Sequence, residues 1–293
     1  MAERSFKKEV EKLRLGAGEH FEGEGILAVT KALLQAGVAY VGGYQGSPIS
    51  HLMDVFADAD PLLKELGVHF ESSANEAAAG AMLAASVNYP LRGAVAWKSV
   101  VGTNVASDAL SNLASGGVTG GALIIIGEDY GEGSSIMQER THAFAMKSQM
   151  WLLDPRPNLA TMVDMVEKGF ELSEASNTPV MLEMRVRSCH MTGSFVAKEN
   201  RRPAMTVGDA AERPTRGSGT VNSTRTRARD STQKSPTRVR STTMCGMRRS
   251  SNGTGDCSNS SSCRTITFSR VSTQMRPRGS YTASEERGSN ASV

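Results

Sequence analysis

The chain has 293 residues, of which 39% are hydrophobic and 22% charged, and its formal net charge is +3 at pH 7. Four cysteines in a chain of this length exclude a small scaffold held together by disulfides. The sequence contains neither a signal-peptide pattern nor an apolar stretch of about 18 residues, so we expect a cytoplasmic protein without a membrane span.

Helical and strand patterns alternate through the first 207 residues. Because parallel strands need long crossover connections, this alternation predicts a mostly parallel sheet covered by helices on both faces, a doubly wound α/β fold. A further helix should follow the loop 128–133, with Ser134 or Ser135 as its N-cap. The predicted helices are 24–35, 48–66, 75–88, 104–114 and 158–175, and the predicted strands are 38–42, 68–71, 93–97, 122–127, 151–153 and 180–186.

Three polar segments follow predicted strands directly. They are 44–50 (YQGSPIS), 72–80 (SSANEAAAG) and 97–108 (WKSVVGTNVASD). The carboxyl ends of parallel strands meet at one edge of a sheet, and open α/β folds bind ligands there. The sequence therefore predicts a binding site built from these three loops.

Glu76 is the strongest candidate functional residue in these loops. It begins a helix that consists almost entirely of Ala and Gly, so no salt-bridge partner is evident on its own helix. The alternative is purely structural, because a carboxylate in the first turn of a helix is stabilised by the macrodipole by about 0.3 to 1 kcal/mol. The residues alone leave both interpretations open.

Beyond Val207 the composition changes abruptly. Residues 208–293 contain no Leu, and 15 Arg and Lys residues against 6 acidic residues give them a net charge of +9. A segment dominated by Ser, Thr, Arg and Gly buries too little apolar surface to offset the entropy of ordering, so we expect a disordered tail. The expected organisation is a basic segment at 1–14, an α/β domain at 15–207 and the tail at 208–293.

An arginine-rich tail raises the question of nucleic-acid binding, since arginine neutralises phosphates. Phe268 and Tyr281 are its only aromatic residues, too few for a base-stacking surface. Abundant Ser, Thr and Arg with a single Lys also matches a GC-rich gene translated out of frame. We favour this frameshift hypothesis over a genuine basic interaction tail.

The cysteines and histidines form no recognisable metal-site pattern. Cys189 and His190 are adjacent but lack a second ligand pair, and Cys245, Cys257 and Cys263 do not have the spacing of zinc or iron-sulfur motifs. We interpret Cys189 and His190 as ordinary residues at a strand end. No metal ligand is expected in this chain.

A family resemblance rests on four segments in this order: GYQGSPIS (43–50), SSANEAAAG (72–80), WKSVVGTNVASDALSNLA (97–114) and IIIGEDYGEGSSIMQER (124–140). Together they resemble the pyrimidine-binding domain of the thiamine-diphosphate-dependent 2-oxoacid:ferredoxin oxidoreductases. Within that family they are most similar to the indolepyruvate ferredoxin oxidoreductases. The resemblance covers about residues 15–206.

The resemblance assigns roles to four residues. Glu76 is implied to bind a ring nitrogen of the cofactor's aminopyrimidine and to share a proton with it. Asn104 is implied to lie near the cofactor, and Ser47 and Lys98 near the substrate. The family has a Tyr-Pro-Gly-Thr-Pro type turn, from which Gln45 and Ser47 depart, although Ser47 keeps a hydroxyl. Structural alternatives are a helix N-cap for Ser47 and a solvated strand-end lysine for Lys98.

The family catalyses the oxidative decarboxylation of a 2-oxo acid, with coenzyme A as acyl acceptor and electrons passing through iron-sulfur clusters to ferredoxin. Its second thiamine domain, which holds the diphosphate through magnesium, and its cluster domain have no counterpart in this sequence. The chain is therefore expected to be inactive alone and to need the remainder of the enzyme, or a partner subunit, within a dimeric assembly. The alternative is a non-catalytic α/β module with a basic tail.

Overall fold

Parallel strands form the central sheet in the computed structural model, which describes residues 5–129 and 140–212. The strands are β1 (His20–Glu24), β2 (Tyr40–Gly43), β3 (His69–Ser72), β4 (Gly93–Lys98), β5 (Ala122–Glu128), β6 (Trp151–Leu153), β7 (Val180–Arg185) and β8 (Thr192–Val196). Six of them pair in the order β3-β2-β4-β5-β7-β6, and every neighbouring pair is parallel. The predicted doubly wound α/β fold is confirmed.

Helices cover both faces of the sheet. The α-helices are α1 (Gly25–Gln35), α2 (Ser50–Asp58), α3 (Asp60–Leu66), α4 (Glu76–Met82), α5 (Ala84–Asn88), α6 (Val101–Val105), α7 (Ser107–Gly116), α8 (Thr141–Ser148), α9 (Leu159–Ser176), α10 (Val186–His190) and α11 (Val207–Glu212). None of these helices has the length and hydropathy needed to span a lipid bilayer.

Two hydrophobic cores follow from the alternation of side chains along each strand. On β5, Leu123 and Ile125 join the core formed with α1, α2, α3 and α9, whereas Ile124 and Ile126 join the core formed with α4, α7 and α8. Successive residues of a strand point to opposite faces, so a strand buried on both faces is apolar throughout. This burial explains the continuous apolar run of β5.

The strand order reverses its direction between β2 and β4. From β2 the chain crosses to β3 on one side, and it then returns to the other side of β2 to form β4. Open α/β sheets place ligands at such a reversal, outside the carboxyl ends of the strands. The loops that follow β2, β3 and β4 therefore form the expected ligand-binding edge.

Several predicted boundaries need correction. The predicted helix 75–88 is divided at Leu83 into α4 and α5, and the predicted helix 104–114 is two helices, α6 and α7. Helix α2 begins at Ser50, with Ile49 as its N-cap, and not at Pro48. Cys189 and His190 lie in the short helix α10, so their assignment to a strand end was wrong. The helix caps predicted at Ser134 and Ser135 lie outside the described residues.

The antiparallel pair of β1 and β8 was not predicted. Its strands are short and largely exposed, and the buried residues Phe21 and Phe195 pack with ring centroids 4.8 Å apart. At the other end of the described chain, α11 continues past the boundary expected at Val207, and Ala210 is buried. Residues 213–293 of the expected tail lie outside the described part.

A buried lysine connects the N-terminal segment to the domain. Lys31 of α1 is fully buried, and its Nζ donates hydrogen bonds to the carbonyl of Leu13 at 3.1 Å, to the carbonyl of Leu15 and to Asn200 Oδ1 at 2.7 Å. Phe6 and Leu13 of the same segment are also fully buried in the core. Residues 5–14 therefore pack as part of the domain.

We expect the stability of the protein to depend on pH through Lys31. Burial lowers the pKa of Lys31 from 10.5 to about 8, against the opposing effect of the Glu199 and Glu19 carboxylates. Between these values the unfolded chain binds a proton that the folded chain has released, so the free energy of unfolding rises with pH. Lys31→Met should therefore give a less positive slope of unfolding free energy against pH between about 8 and 10, measured by urea denaturation.

Lys64→Met is the matched control for this prediction. Lys64 is exposed and pairs with Asp60 one helical turn away, so its removal should leave the slope close to that of the wild type. Equal slopes for Lys31→Met and the wild type would contradict the prediction.

Candidate functional site

Glu76 is the first residue of α4, at the carboxyl end of β3. The Asn75 side chain caps this helix by accepting a hydrogen bond from the Ala78 N–H at 2.9 Å. Glu76 is only 7% exposed, and its carboxylate has no hydrogen-bond or ion-pair partner among the described residues. A mostly buried carboxylate with no donor among the described residues is a candidate to accept a hydrogen bond from a ligand.

Gly102 lets α6 pack directly against Glu76. A Cβ atom on Gly102 would lie 2.5 Å from Trp97 Cδ1 and 2.9 Å from Glu76 Cγ. Trp97 is itself fully buried, and its Nε1 donates a hydrogen bond to Thr103 Oγ1 at 3.1 Å. The position of the Glu76 side chain is thus fixed by the indole of Trp97 and the first turn of α6.

Val100 occupies a strained γ-turn just before α6. Its φ of 62° and ψ of −66° are rare for a β-branched residue, and the Val101 N–H donates to the Ser99 carbonyl at 2.8 Å. Such a conformation costs about 1 to 3 kcal/mol and persists only where the surroundings impose it. Here Ser99 is held by the Gly127 carbonyl at 2.7 Å and by Thr141 Oγ1 at 3.1 Å. Backbone strain of this kind is concentrated at functional sites.

Lys98 is an ion-paired residue and not a solvated one. Its Nζ lies 2.7 Å from Asp129 Oδ2, and the two side chains are 16% and 3% exposed. The alternative of a solvated lysine at a strand end was therefore wrong. Asp129 directly follows β5, the strand paired with β4, so adjacent strand ends bring the two charges together.

The turn that contains Ser47 lies against Lys98. A Cβ atom on Gly46 would be 2.6 Å from Lys98 Cβ, so the turn and the end of β4 are in close contact. Ser47 is exposed and does not cap α2, since Ile49 is the N-cap residue. The structure thus brings Ser47 and Lys98 into one neighbourhood, whereas Glu76 and Gly102 form a second neighbourhood along the same edge.

Asn104 lines a cavity of about 350 Å³ between α6 and α8. Val100 and Phe144 contribute apolar surface to this cavity, and Arg140 and Lys147 contribute positive charge. Asn104 is itself exposed on α6, two residues after the glycine that contacts Glu76. This cavity offers a polar group and two cations to a ligand.

Two buried carboxylates meet farther along the edge. Glu128 and Glu183, on the paired strands β5 and β7, are 2% and 1% exposed. Burial, and then the charge of Glu128, raise the pKa of Glu183 to about 8. Arg185 opposes this shift, with its Nε 3.1 Å from Glu183 Oε1.

Comparison with known proteins finds similar proteins that share one name. Indolepyruvate oxidoreductase subunit IorA of Methanothermobacter marburgensis is 31% identical over 189 residues, 64% of this chain and 30% of that protein. The subunit of the same name from Thermococcus kodakarensis is 34% identical over 173 residues, 59% of this chain and 26% of that protein. The chain is thus similar to a part of these IorA subunits. No protein-family model matches the chain.

A solved structure of 2-oxoglutarate:ferredoxin oxidoreductase from Magnetococcus marinus supports the fold. It aligns with a TM-score of 0.52 and 16% identity, over 62% of this chain and 33% of that one. The chain spans less than a third of the length of the IorA subunits quoted above. The sequence similarity therefore concerns one part of those longer proteins.

Sequence reasoning missed three residues that shape this site: Val100, Gly102 and Asp129. The place of Asp129 directly after β5, next to β4, was a signal for pairing with Lys98. Gly102 lies in the third polar loop, but its contact with α4 depends on tertiary packing. Nothing in the sequence indicates that Val100 takes a positive φ.

We expect Gly102→Ala to destabilise the protein by about 1 to 3 kcal/mol, because the added methyl group must displace buried Trp97 or Glu76. Gly116→Ala is the matched control, since a Cβ there meets no heavy atom within 4 Å. Urea denaturation of both variants measures the difference. Equal free energies of unfolding for the two variants would contradict the packing described for Gly102.

Proposed function

We propose that this chain supplies the pyrimidine-binding part of a thiamine-diphosphate-dependent 2-oxoacid:ferredoxin oxidoreductase. Residues 15–207 form that part in this proposal. Relatives named as indolepyruvate oxidoreductase subunits support it, and so does the arrangement of polar loops at a reversal of strand order. An aryl pyruvate such as indolepyruvate is the proposed substrate.

The proposal rests on the burial and the contacts of Glu76. A buried carboxylate that lacks a protein donor among the described residues fits a ligand that offers a ring N–H. The exposed residues around it on α4 are alanines, and Gly102 leaves no side chain in between, so a flat ring has access. The residues present therefore fit the aminopyrimidine of thiamine diphosphate.

In this proposal Glu76 holds or releases the proton that it shares with the pyrimidine ring nitrogen. Its place in the first turn of α4, beside the buried indole of Trp97 and Gly102, would hold the carboxylate at the ring edge. Thiamine diphosphate supplies the electron sink for decarboxylation when it is bound. Asn104 extends the cofactor-binding surface on α6.

Lys98 and Ser47 are the proposed contacts for the substrate carboxylate. An ammonium group has three N–H donors, and the bond to Asp129 uses one of them. The Asp129 bond also fixes the direction of the lysine side chain, which reduces the entropy lost on substrate binding. The exposed hydroxyl of Ser47 is available from the turn that packs on Lys98.

The remaining parts of the enzyme lie elsewhere in this proposal. A second domain or partner subunit supplies the magnesium ion and the diphosphate site, and an iron-sulfur domain passes electrons to ferredoxin. Coenzyme A accepts the acyl group. These partners are inferred from the family relationship and from the fraction of the relatives that the chain spans.

The purified chain should show no ferredoxin reduction with indolepyruvate, coenzyme A and thiamine diphosphate. A cofactor site shared between two domains lacks half of its contacts in this polypeptide, so calorimetric titration should also show only weak cofactor binding. Turnover by the chain alone would contradict the division of the site that we propose.

Glu76→Gln should lower kcat by about 10² to 10⁴-fold in the enzyme reconstituted from this chain and the protein that carries the diphosphate-binding half. Glutamine keeps the shape of the side chain but does not exchange a proton. Indolepyruvate-dependent ferredoxin reduction measures the effect.

Glu71→Gln is the matched control for Glu76→Gln. Glu71 lies on β3 five positions earlier and its side chain is 62% exposed, so its replacement should leave kcat unchanged. An active Glu76→Gln enzyme, or equal losses in both variants, would overturn the role assigned to Glu76.

A further inference from the structure

Metal-ligating side chains converge on the half of the sheet edge that is far from Glu76. His142 lies on α8, Asp154 follows β6, and Glu183 lies on β7. One ligand atom from each lies within 4.8 Å of those of the other two. These three residues are called the carboxylate-histidine cluster below. β6 and β7 are at the opposite side of the sheet from β3, which leads to Glu76.

Glu183 is the buried member of the cluster. Its side chain is 0% exposed, and neither of its carboxylate oxygens accepts a hydrogen bond from any residue described. Arg185 Nε lies 3.1 Å from Oε1 and His142 Nδ1 lies 3.4 Å from Oε2, but neither contact has the alignment of a hydrogen bond. Oε2 of the neighbouring Glu128 is also buried without a hydrogen-bond partner in the described chain. Such oxygens are the kind of group that a cation satisfies.

The spacing within the cluster suits a small divalent cation. With metal–ligand bonds of about 2.1 Å, two ligands of a tetrahedral zinc site are about 3.4 Å apart. His142 Nδ1 and Glu183 Oε2 are separated by 3.4 Å. A ligand oxygen of Asp154 lies within 4.8 Å of both of these atoms, and its side chain is 33% exposed. The exposed side of His142 and Asp154 also provides a route of entry.

Ligand chemistry selects the type of cation. An imidazole nitrogen with carboxylate oxygens favours zinc or a similar transition metal, whereas magnesium and calcium prefer oxygen ligands alone. We propose that the carboxylate-histidine cluster is a binding site for a divalent transition metal such as zinc. This site is separate from the thiamine site of the proposed function.

Arg185 competes with a metal ion for the carboxylates of the cluster. Its guanidinium contacts Asp154 Oδ2 at 2.6 Å and Glu183 Oε1 at 3.1 Å, so it offers positive charge to two of the three ligands. A metal ion must displace the guanidinium from Glu183 or share that carboxylate with it. The proposal therefore requires that Arg185 weaken metal binding.

Calorimetric titration of the full chain with zinc chloride tests the proposal, after chelator treatment and alkylation of accessible thiols so that Cys245, Cys257 and Cys263 do not bind the ion. We expect one bound zinc ion per chain. His142→Ala and Glu183→Gln should each weaken binding by about tenfold or more, and Arg185→Gln should strengthen it.

His69→Ala is the matched control for the titration. His69 and Glu71 form an exposed pair whose Nε2 and Oε2 atoms are also 3.4 Å apart, but no third ligand from residues 5–129 or 140–212 accompanies them. This variant should bind zinc like the wild type. If Glu183→Gln fails to fold by circular dichroism, His142→Ala decides the outcome, because the His142 side chain is 47% exposed and its removal spares the core.

Two results would overturn the proposal. One is the absence of zinc binding in both the wild type and Arg185→Gln. The other is binding that His142→Ala leaves unchanged, which would place the ion elsewhere on the chain. A zinc-dependent rise in Tm that is present in the wild type and lost in His142→Ala would support it through an independent readout.

Discussion

The carboxyl edge of the parallel sheet is the constraint on which the rest of the structure depends. Strands β4 and β5 are paired on both sides and covered on both faces, so their backbone groups are satisfied within the sheet and their side chains are apolar. Polar side chains are therefore confined to the ends of these strands. Lys98 is the last residue of β4 and Glu128 the last of β5, each at the point where the apolar run stops.

Charged side chains at this edge differ in whether an opposite charge accompanies them. Lys98 and Asp129 neutralise each other at adjacent strand ends, and the turn that contains Gly46 packs against Lys98. Glu76 has no such partner among the described residues, although it is similarly buried. The charges of a carboxylate and an ammonium in contact compensate each other, whereas a carboxylate without such a partner can still accept hydrogen bonds from a ligand. This contrast supports a ligand-facing role for Glu76 and a positioning role for Asp129.

The sequence predicted the features that depend on local patterns. Apolar runs located all six parallel strands, and the polar loops after three of them, including that of Glu76, indicated the ligand-binding edge. The antiparallel pair β1–β8 escaped prediction because His20–Glu24 is mostly polar and its partner is distant in sequence. Local patterns also do not indicate the turn at Val100, since its conformation depends on contacts between different strand ends. The sequence therefore predicted the ligand-binding edge of the sheet but not the atomic contacts that are made there.

The strain at Val100 connects the two halves of the edge. Ser99 is tied to the Gly127 carbonyl of β5 and to Thr141 of α8, while the residues after Val100 bring Gly102 against Glu76. Thr141 in turn donates its backbone N–H to Glu128 Oε1, and the next residue is His142. Contacts thus extend from Glu76, which follows β3, to the carboxylates of Glu128 on β5 and Glu183 on β7. Because a β-branched residue adopts a positive φ only under such constraint, the strained turn is the consequence of holding both groups in place at once.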